Sequence, residues 1–176
     1  MDPSTAVALG EQGRKEYEKA NYSAAADLFS QAAQAYESAR DSLSAAEMRN
    51  NQSVALLQAG NAEGALRATE GTEEIFRKAD DLKRQGIAVS NRAAALEGLK
   101  KWNDALAEYE RAASLLERAG EGDMHSMVRK AAANINLKRG RIAESQMDVY
   151  DSLRLVERPT LTQRIMNFMM RIGLIK

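Results

Sequence analysis

The chain has 176 residues, of which 44% are hydrophobic and only 5% aromatic, and its 25 basic residues balance its 25 acidic residues. It contains no cysteine, which excludes disulfide bonds and thiolate metal sites. No stretch approaches the roughly 18 apolar residues of a membrane-spanning helix, and the N-terminal MDPSTAVALG lacks the basic start and apolar run of a secretory signal. We therefore expect a cytoplasmic protein.

Apolar residues recur three and four residues apart along most of the chain, and this spacing predicts amphipathic helices. The only two prolines, Pro3 and Pro159, stand near the two ends, so no proline interrupts a helix between them. The predicted helices, in chain order, cover residues 5–19, 23–37, 43–58, 62–78, 83–99, 102–118, 124–139, 142–157 and about 160–173.

Short polar segments separate these helices at matching places. Gly60 and Gly140 suit the left-handed residue that ends a helix, and Asp41 and Asp81 stand where a carboxylate caps the next one. Gly71 lies inside the predicted helix 62–78 and costs it roughly 1 kcal/mol relative to alanine. We interpret this glycine as a site of close packing, with local flexibility as the alternative.

Small residues recur every forty residues in the second helix of each predicted pair. In each unit a larger residue stands between two small residues, so small and large side chains alternate along one helix face. The small side chains allow a neighbouring helix to come close. The first set is Ala25, Ala65, Ala105 and Ser145; the larger residues are Phe29, Thr69, Tyr109 and Val149; the second set is Ala32, Thr72, Ala112 and Ser152; the third is Ala39, Ala79 and Ala119.

A fixed period in this range is the signature of a stacked-repeat protein. We therefore predict one elongated all-α domain, and such domains usually serve as binding scaffolds. Its four helix pairs cover about residues 5–40, 41–80, 81–120 and 121–159, and a C-terminal segment covers 160–176.

The units resemble tetratricopeptide repeats. The resemblance is fullest in the first and third units and weakest in the fourth, and it covers about residues 5–158. The residues that carry it are Gly13, Tyr17, Asn21, Tyr22, Ala25, Phe29 and Ala32; Gly60, Asn61 and Ala65; Trp102, Ala105, Tyr109 and Ala112; and Gly140, Ile142, Ser145 and Ser152.

The forty-residue period exceeds the usual tetratricopeptide period of about 34 and is similar to the branch of LGN-like, kinesin light chain-like and SNAP-like proteins. Asn51 and Asn91 resemble an asparagine that LGN-like repeats place on the first helix, although Glu11 and Ala131 break the series. The resemblance implies a right-handed α-solenoid of four helix hairpins, residues 1–159, followed by a C-terminal helix.

The resemblance also implies that the first helix of each unit lines a concave groove holding an extended peptide or a partner helix. Asparagine suits this task because its amide both donates and accepts hydrogen bonds. Asn51 and Asn91 have an alternative role, which is to satisfy the backbone ends of neighbouring helices. The residues expected on the groove are Arg14, Tyr17, Glu47, Asn51, Val54, Ile87, Asn91, Lys130, Asn134 and Lys138.

Some members of the family bind the acidic C-terminus of chaperones through a clamp of lysines, asparagines and an arginine. This chain departs from that clamp, because Gly10 and Arg14 stand at the places of its first lysine and asparagine and Ile87 at a later basic place. Lys130 and Asn134 restore the pair only in the last unit. We therefore do not expect binding of chaperone tails.

The C-terminal segment forms an apolar stripe with few charges. Three interpretations remain open: a cap on the last repeat, a docking face for a second protomer or partner, and an amphipathic helix on a membrane surface. The stripe consists of Leu161, Ile165, Phe168, Met169 and Ile172.

The charges are unevenly distributed along the chain. Acidic residues predominate over 1–125 and basic residues over 126–176, and this charge dipole favours head-to-tail association.

Catalysis has little support in the sequence. His125 has no serine, cysteine or acid at a recognisable spacing, and we interpret it as a surface or capping histidine. The neutral net charge and the lack of a nucleic-acid motif exclude that class of partner. We predict a non-enzymatic interaction scaffold with no cofactor or metal, and self-assembly or peripheral membrane attachment through the C-terminal segment as alternatives.

Overall fold

The computed structural model describes residues 3–156; Met1, Asp2 and residues 157–176 lie outside this range. Within it the chain forms nine α-helices and no strand. The helices are α1 Pro3–Glu18, α2 Tyr22–Ser38, α3 Ser42–Gln58, α4 Ala62–Ala68, α5 Thr72–Lys78, α6 Leu82–Gly98, α7 Trp102–Arg118, α8 Gly122–Lys138 and α9 Ile142–Arg154.

Consecutive helices pack on one another from α1 on α2 to α8 on α9, except for α4 and α5, which both pack on α3 and α6. The first helices of the four pairs are α1, α3, α6 and α8, and the second helices are α2, the α4–α5 pair, α7 and α9. This arrangement is an all-α helical-repeat solenoid, which confirms the predicted fold class. The predicted helix at 160–173 and the C-terminal segment 160–176 lie outside the described residues.

A left-handed residue follows a helix every twenty residues, so each forty-residue unit contains two equal steps. The N–H of the next residue donates to the carbonyl oxygen five positions back, as from Asn61 to Leu56 at 2.8 Å and from Lys101 to Leu96 at 2.9 Å. This bond satisfies a carbonyl that the helix end leaves free. The left-handed residues are Ala20, Arg40, Gly60, Asp80, Lys100, Gly120 and Gly140.

Three side chains cap the helices that follow these turns. Asp41 accepts a hydrogen bond from the Ser44 N–H at 3.0 Å, and Asp81 accepts one from the Arg84 N–H at 2.8 Å. The Ser44 N–H also lowers the pKa of Asp41, because it favours the charged carboxylate. Both predicted caps are confirmed, and Asn61 adds a third, at 2.8 Å from the Gly64 N–H.

The small-residue sets of both helices in each pair face the core. The first two predicted sets are buried throughout, whereas Ala39 and Ala79 of the third set are exposed residues that end α2 and α5. The first helices carry two further forty-residue series of small buried residues that the sequence reasoning missed. These are Ala6, Ala46, Gly86 and Ser126, and Gly13, Ser53, Ala93 and Ala133.

Two glycines of these series set the distance between helices. A Cβ on Gly13 would lie 2.9 Å from the Phe29 ring, and a Cβ on Gly86 would lie 2.8 Å from Leu116. Phe29 and Leu116 are themselves buried, so each glycine lies directly beneath a core side chain. At these two positions a side chain of the second helix therefore packs directly on the backbone of the first helix.

The expected single helix at 62–78 is wrong, because the structure divides it into α4 and α5. Gly71 adopts a left-handed conformation with φ of 75° between them. The Thr69 hydroxyl donates to the Leu66 carbonyl at 2.7 Å, and the Thr72 hydroxyl donates to the Thr69 carbonyl at 2.9 Å. Such side-chain bonds offer the backbone an alternative to helix, so Gly71 is a break and not a packing site.

The last helix ends against the start of α8. A Cβ on Gly122 would lie only 2.0 Å from the carbonyl oxygen of Leu155, the residue that ends α9. Only glycine permits this approach of two backbones. The two helices of the fourth pair are therefore joined at one end by the turn at Gly140 and contact each other at the other end through Gly122 and Leu155. The helix α9 ends at Arg154, three residues before its predicted end.

We predict that Lys100→Gly stabilises the protein by roughly 0.5–1 kcal/mol, since Lys100 holds a left-handed φ of 59° that glycine adopts without a steric penalty. Thermal unfolding followed by circular dichroism should show a melting temperature higher by about 2–4 °C. Gly120→Ala, at the next such turn, is the matched control and should lower it. A Lys100→Gly melting temperature at or below wild type contradicts the assignment.

We predict that Gly122→Ala destabilises the α8–α9 pair by about 1–3 kcal/mol, because the methyl group must displace the Leu155 carbonyl. Urea unfolding measures the loss. Ser42→Ala is the control, since Ser42 opens α3 at the same place in the second unit and is exposed. Equal effects of the two substitutions would mean that the Gly122 contact does not hold α9.

Candidate functional site

Two adjoining cavities run across the first helices of units one to three and form one trough. The cavity between α1 and α3 has a volume of about 390 Å³, and the cavity between α3 and α6 about 510 Å³. Glu47, Asn51 and Val54 of α3 line both. Successive first helices therefore present one face to a continuous depression.

The α1–α3 cavity has an aromatic and cationic wall. Arg14 and Tyr17 of α1 stand on one side, with Phe29 behind them and Met48 opposite. The Tyr17 ring packs edge-on against Tyr22, with ring centroids 5.2 Å apart, which fixes its position. This part of the trough suits an apolar side chain beside an acidic group.

The α3–α6 cavity contains an unsatisfied hydrogen-bond acceptor. Asn50 lines this cavity, is only 5% exposed, and its Oδ1 has no hydrogen-bond partner. A buried polar atom without a partner costs roughly 1–3 kcal/mol.

Asn51 and Asn91 are both half-buried at the α3–α6 cavity. Within residues 3–156 neither side chain forms a hydrogen bond to the backbone end of a neighbouring helix, which was their alternative role. Both amides therefore keep their donors and acceptors available on the trough.

The charges of the trough are mixed. Arg84 lies 3.6 Å from Glu47 and 3.6 Å from Asp81, so one guanidinium links α6 to α3 and to the cap of its own helix. Lys83 pairs with Glu121 at 2.8 Å. Arg14 at the other end carries no ion pair among the described residues, so it is the cation most available to a ligand.

The structure brings together seven of the ten predicted groove residues and leaves three apart. Lys130 and Asn134 are exposed on α8, and neither trough cavity includes them. Lys138 pairs with Glu97 of α6 at 3.5 Å. The residues that meet at the trough are Arg14, Tyr17, Glu47, Asn51, Val54, Ile87 and Asn91.

Sequence reasoning missed two features of the molecule's cavities. Arg84 lines the trough, although it stands only three residues after the capping residue Asp81. Its position three residues before Ile87, on the same face of α6, is the sequence pattern that could have predicted this. A separate cavity of about 610 Å³ lies where α4 and α5 meet α6, lined by Glu70 and Gly71 among others. It was missed because helix 62–78 was expected to be continuous.

His125 is fully buried, so its interpretation as a surface or capping residue is wrong. Neither ring nitrogen has a hydrogen-bond partner, and Nε2 lies 3.9 Å from an Asp151 oxygen. Asp151 is instead paired with Arg129 at 2.8 Å. Burial lowers the pKa of His125, because the low-dielectric interior disfavours the charged ring, and the Asp151 carboxylate only partly opposes this.

Two comparisons with known proteins give no relative. No family model matches the chain, and a search of curated proteins finds no match. Over residues 3–156 no helix is long and apolar enough to cross a membrane, and no group of three or more histidine, aspartate or glutamate side chains is arranged to hold a metal ion.

We predict that the free energy of unfolding falls more steeply with acidification in wild type than in His125→Gln. The unfolded chain binds a proton near the ordinary histidine pKa of about 6.5, whereas folded His125 binds one only at lower pH. Stability is therefore unaffected by this residue above pH 6.5 and is lost as the pH falls below it. Urea unfolding between pH 7.5 and 5 checks the slope, and parallel slopes in the two proteins would contradict it.

Proposed function

We propose that this chain is a non-catalytic scaffold that binds an extended peptide or a helix of a partner protein in the trough across α1, α3 and α6. The observation that carries the proposal is the continuous trough across three first helices, on which the side-chain amides of Asn51 and Asn91 form no hydrogen bond among the described residues. A bound peptide backbone would pair with these amides. We also propose that the repeats are of the tetratricopeptide type and that the protein acts in the cytoplasm.

The spacing of two asparagines along the trough supports an elongated ligand. Asn51 and Asn91 stand on successive first helices, at the same place in their units, and both line the trough. An extended backbone carries donors and acceptors at regular intervals, and a pair of unbonded asparagine amides can meet two of its peptide groups. Val54 and Ile87 supply apolar contacts between them.

The charge pattern favours a ligand with an acidic group near one end. Arg14 is exposed and unpaired among the described residues, beside the Tyr17 ring. Glu47 and Arg84 are bound to one another, so they contribute less net charge to the middle of the trough. We therefore expect a carboxylate of the partner at the α1 end and apolar or neutral side chains toward α6.

Asn51→Ala combined with Asn91→Ala should weaken peptide binding about 30-fold, because two hydrogen bonds worth about 1 kcal/mol each are lost. The probe is a random peptide display library selected on the wild-type chain, and isothermal titration of its enriched peptides gives the affinities. This double variant should keep the wild-type circular dichroism spectrum.

Gln31→Ala combined with Ser114→Ala is the matched control, since both residues are exposed on second helices outside the trough. It should bind the selected peptides as wild type does. Selected peptides that bind the asparagine double variant undiminished would rule out the trough as their site. A library that yields no binder would rule out peptide recognition itself.

A further inference from the structure

The helix α9 is attached to the solenoid mainly through polar side chains. Of its large apolar side chains only Leu153 is buried, whereas Ile142, Met147 and Tyr150 are exposed. Among the described residues, the main core cluster draws its members from α6, α7 and α8 and none from α9. The helix α2, at the same place in the first unit, contributes Phe29 and two alanines to a core cluster. The attachment of α9 therefore depends little on buried apolar surface.

Charged and amide groups line the seam between α8 and α9. The Nε of Arg129 on α8 lies 2.8 Å from Asp151 of α9, and its Nη1 lies 3.5 Å from Asp148. Asn136 of α8 donates to Asp148 at 2.9 Å. Arg129 also donates to Glu110 of α7 at 3.0 Å, so one guanidinium serves three carboxylates on two helices. The contacts that hold α9 to α8 are thus largely electrostatic.

The fully buried His125 of α8 lies at this seam. Four charged groups face its ring, which are Asp151 and Arg154 from α9, Glu117 from α7, and Arg129 from α8 itself. Asp151 is already paired with Arg129 and Arg154, and Glu117 is paired with Arg154 at 2.9 Å. Neither of these two carboxylates is therefore free to pair with a protonated ring.

We propose that α9 is a helix that acidification releases, because protonation of His125 favours a state in which α9 has left α8 while the helices before it stay folded. A charged ring is buried without a free partner in the closed seam and becomes hydrated once α9 leaves. The helix α8 stays in place, because Val128, Ala132 and Ile135 bury its other side in the core cluster with α7. The proposal is independent of the trough and of its ligand.

One carboxyl at the same seam responds to acid in the opposite direction. Burial raises the pKa of Asp148, and the hydrogen bond from Asn136 and the charge of Arg129 only partly oppose this. A group whose pKa is higher in the closed state favours that state when it is protonated. Burial lowers the pKa of His125, so its protonation favours the open state. The direction of the acid response therefore shows which of the two residues controls α9.

Hydrogen exchange of the full-length protein, followed by mass spectrometry, tests the proposal without a substitution. Protection factors correct for the pH dependence of the intrinsic amide rate. At pH 7.5 the amides of α9 should be at least about 100-fold less protected than the slowest amides of α7, and low urea should not change their exchange, because they exchange through a local opening. Between pH 7.5 and 5 their protection should fall roughly 10- to 30-fold, as expected for a histidine that titrates near pH 6.5 in the open state alone.

Three results of this measurement would overturn the proposal. Protection of α9 equal to that of the slowest α7 amides at both pH values would mean that α9 leaves only when the whole chain unfolds. Protection that rises with acid would assign control of the helix to Asp148. Protection that does not change with pH would mean that His125 and the opening of α9 are not coupled.

His125→Gln assigns the acid response to the ring. Gln85 occupies the same place in the third unit and is buried there, so glutamine suits this position. At pH 7.5 the variant should protect α9 to within about threefold of wild type. In acid it should lose the fall in protection, leaving no change or the rise that Asp148 predicts. A fall as large as in wild type would contradict the role of His125.

His125→Gln combined with Gln146→His is the matched control. Gln146 is exposed on α9, so this variant restores a histidine to the fourth unit without burying it in the seam. It should respond to acid as His125→Gln alone does. A restored fall in protection would mean that an exposed histidine is sufficient, and the proposal would fail.

Discussion

The close approach of helix backbones is the constraint on which the rest of this structure depends. Small residues stand on both helices of each pair, and at Gly13 and Gly86 an added methyl group would already meet the neighbouring helix. Because little side-chain volume lies between the helices, apolar surface is buried through many close contacts of small side chains and only a few large ones. The aromatic content of 5% is enough for such a core.

The helices α1 to α3 and α6 to α8 have nearly equal lengths of 16 or 17 residues. A left-handed turn closes each step at a twenty-residue interval, even where alanine, arginine, aspartate or lysine must occupy it. The hydrogen bond that spans each turn then returns the next helix in the same register. First helices consequently present the same face in succession, and this is why Asn51 and Asn91 reach one trough.

Much of the fold was predictable because small residues at a fixed period report directly on helix packing. The break at Gly71 was not, since its cause is the competition of the Thr69 and Thr72 hydroxyls for backbone carbonyls, which a hydrophobic pattern does not record. The burial of His125 carried a usable signal in the sequence, because it stands eighty positions after the apolar Ala45, which is also buried.

The candidate site was predictable to the extent that it follows helix faces. Arg14, Glu47 and Asn91 meet the trough because the repeat places them there. Lys138 does not, because it lies on α8, which lines neither trough cavity, and it pairs with Glu97 of the preceding unit. Pairings of long side chains between units depend on distances that only the folded chain defines.

The broken second helix bears on the mechanics of the molecule. A continuous helix resists bending along its whole length, whereas α4 and α5 are separate seven-residue segments joined at one left-handed glycine. They form the backing of α3, the helix shared by both trough cavities. We therefore expect the described part of the solenoid to bend most readily behind the centre of the trough, where its second helix is interrupted.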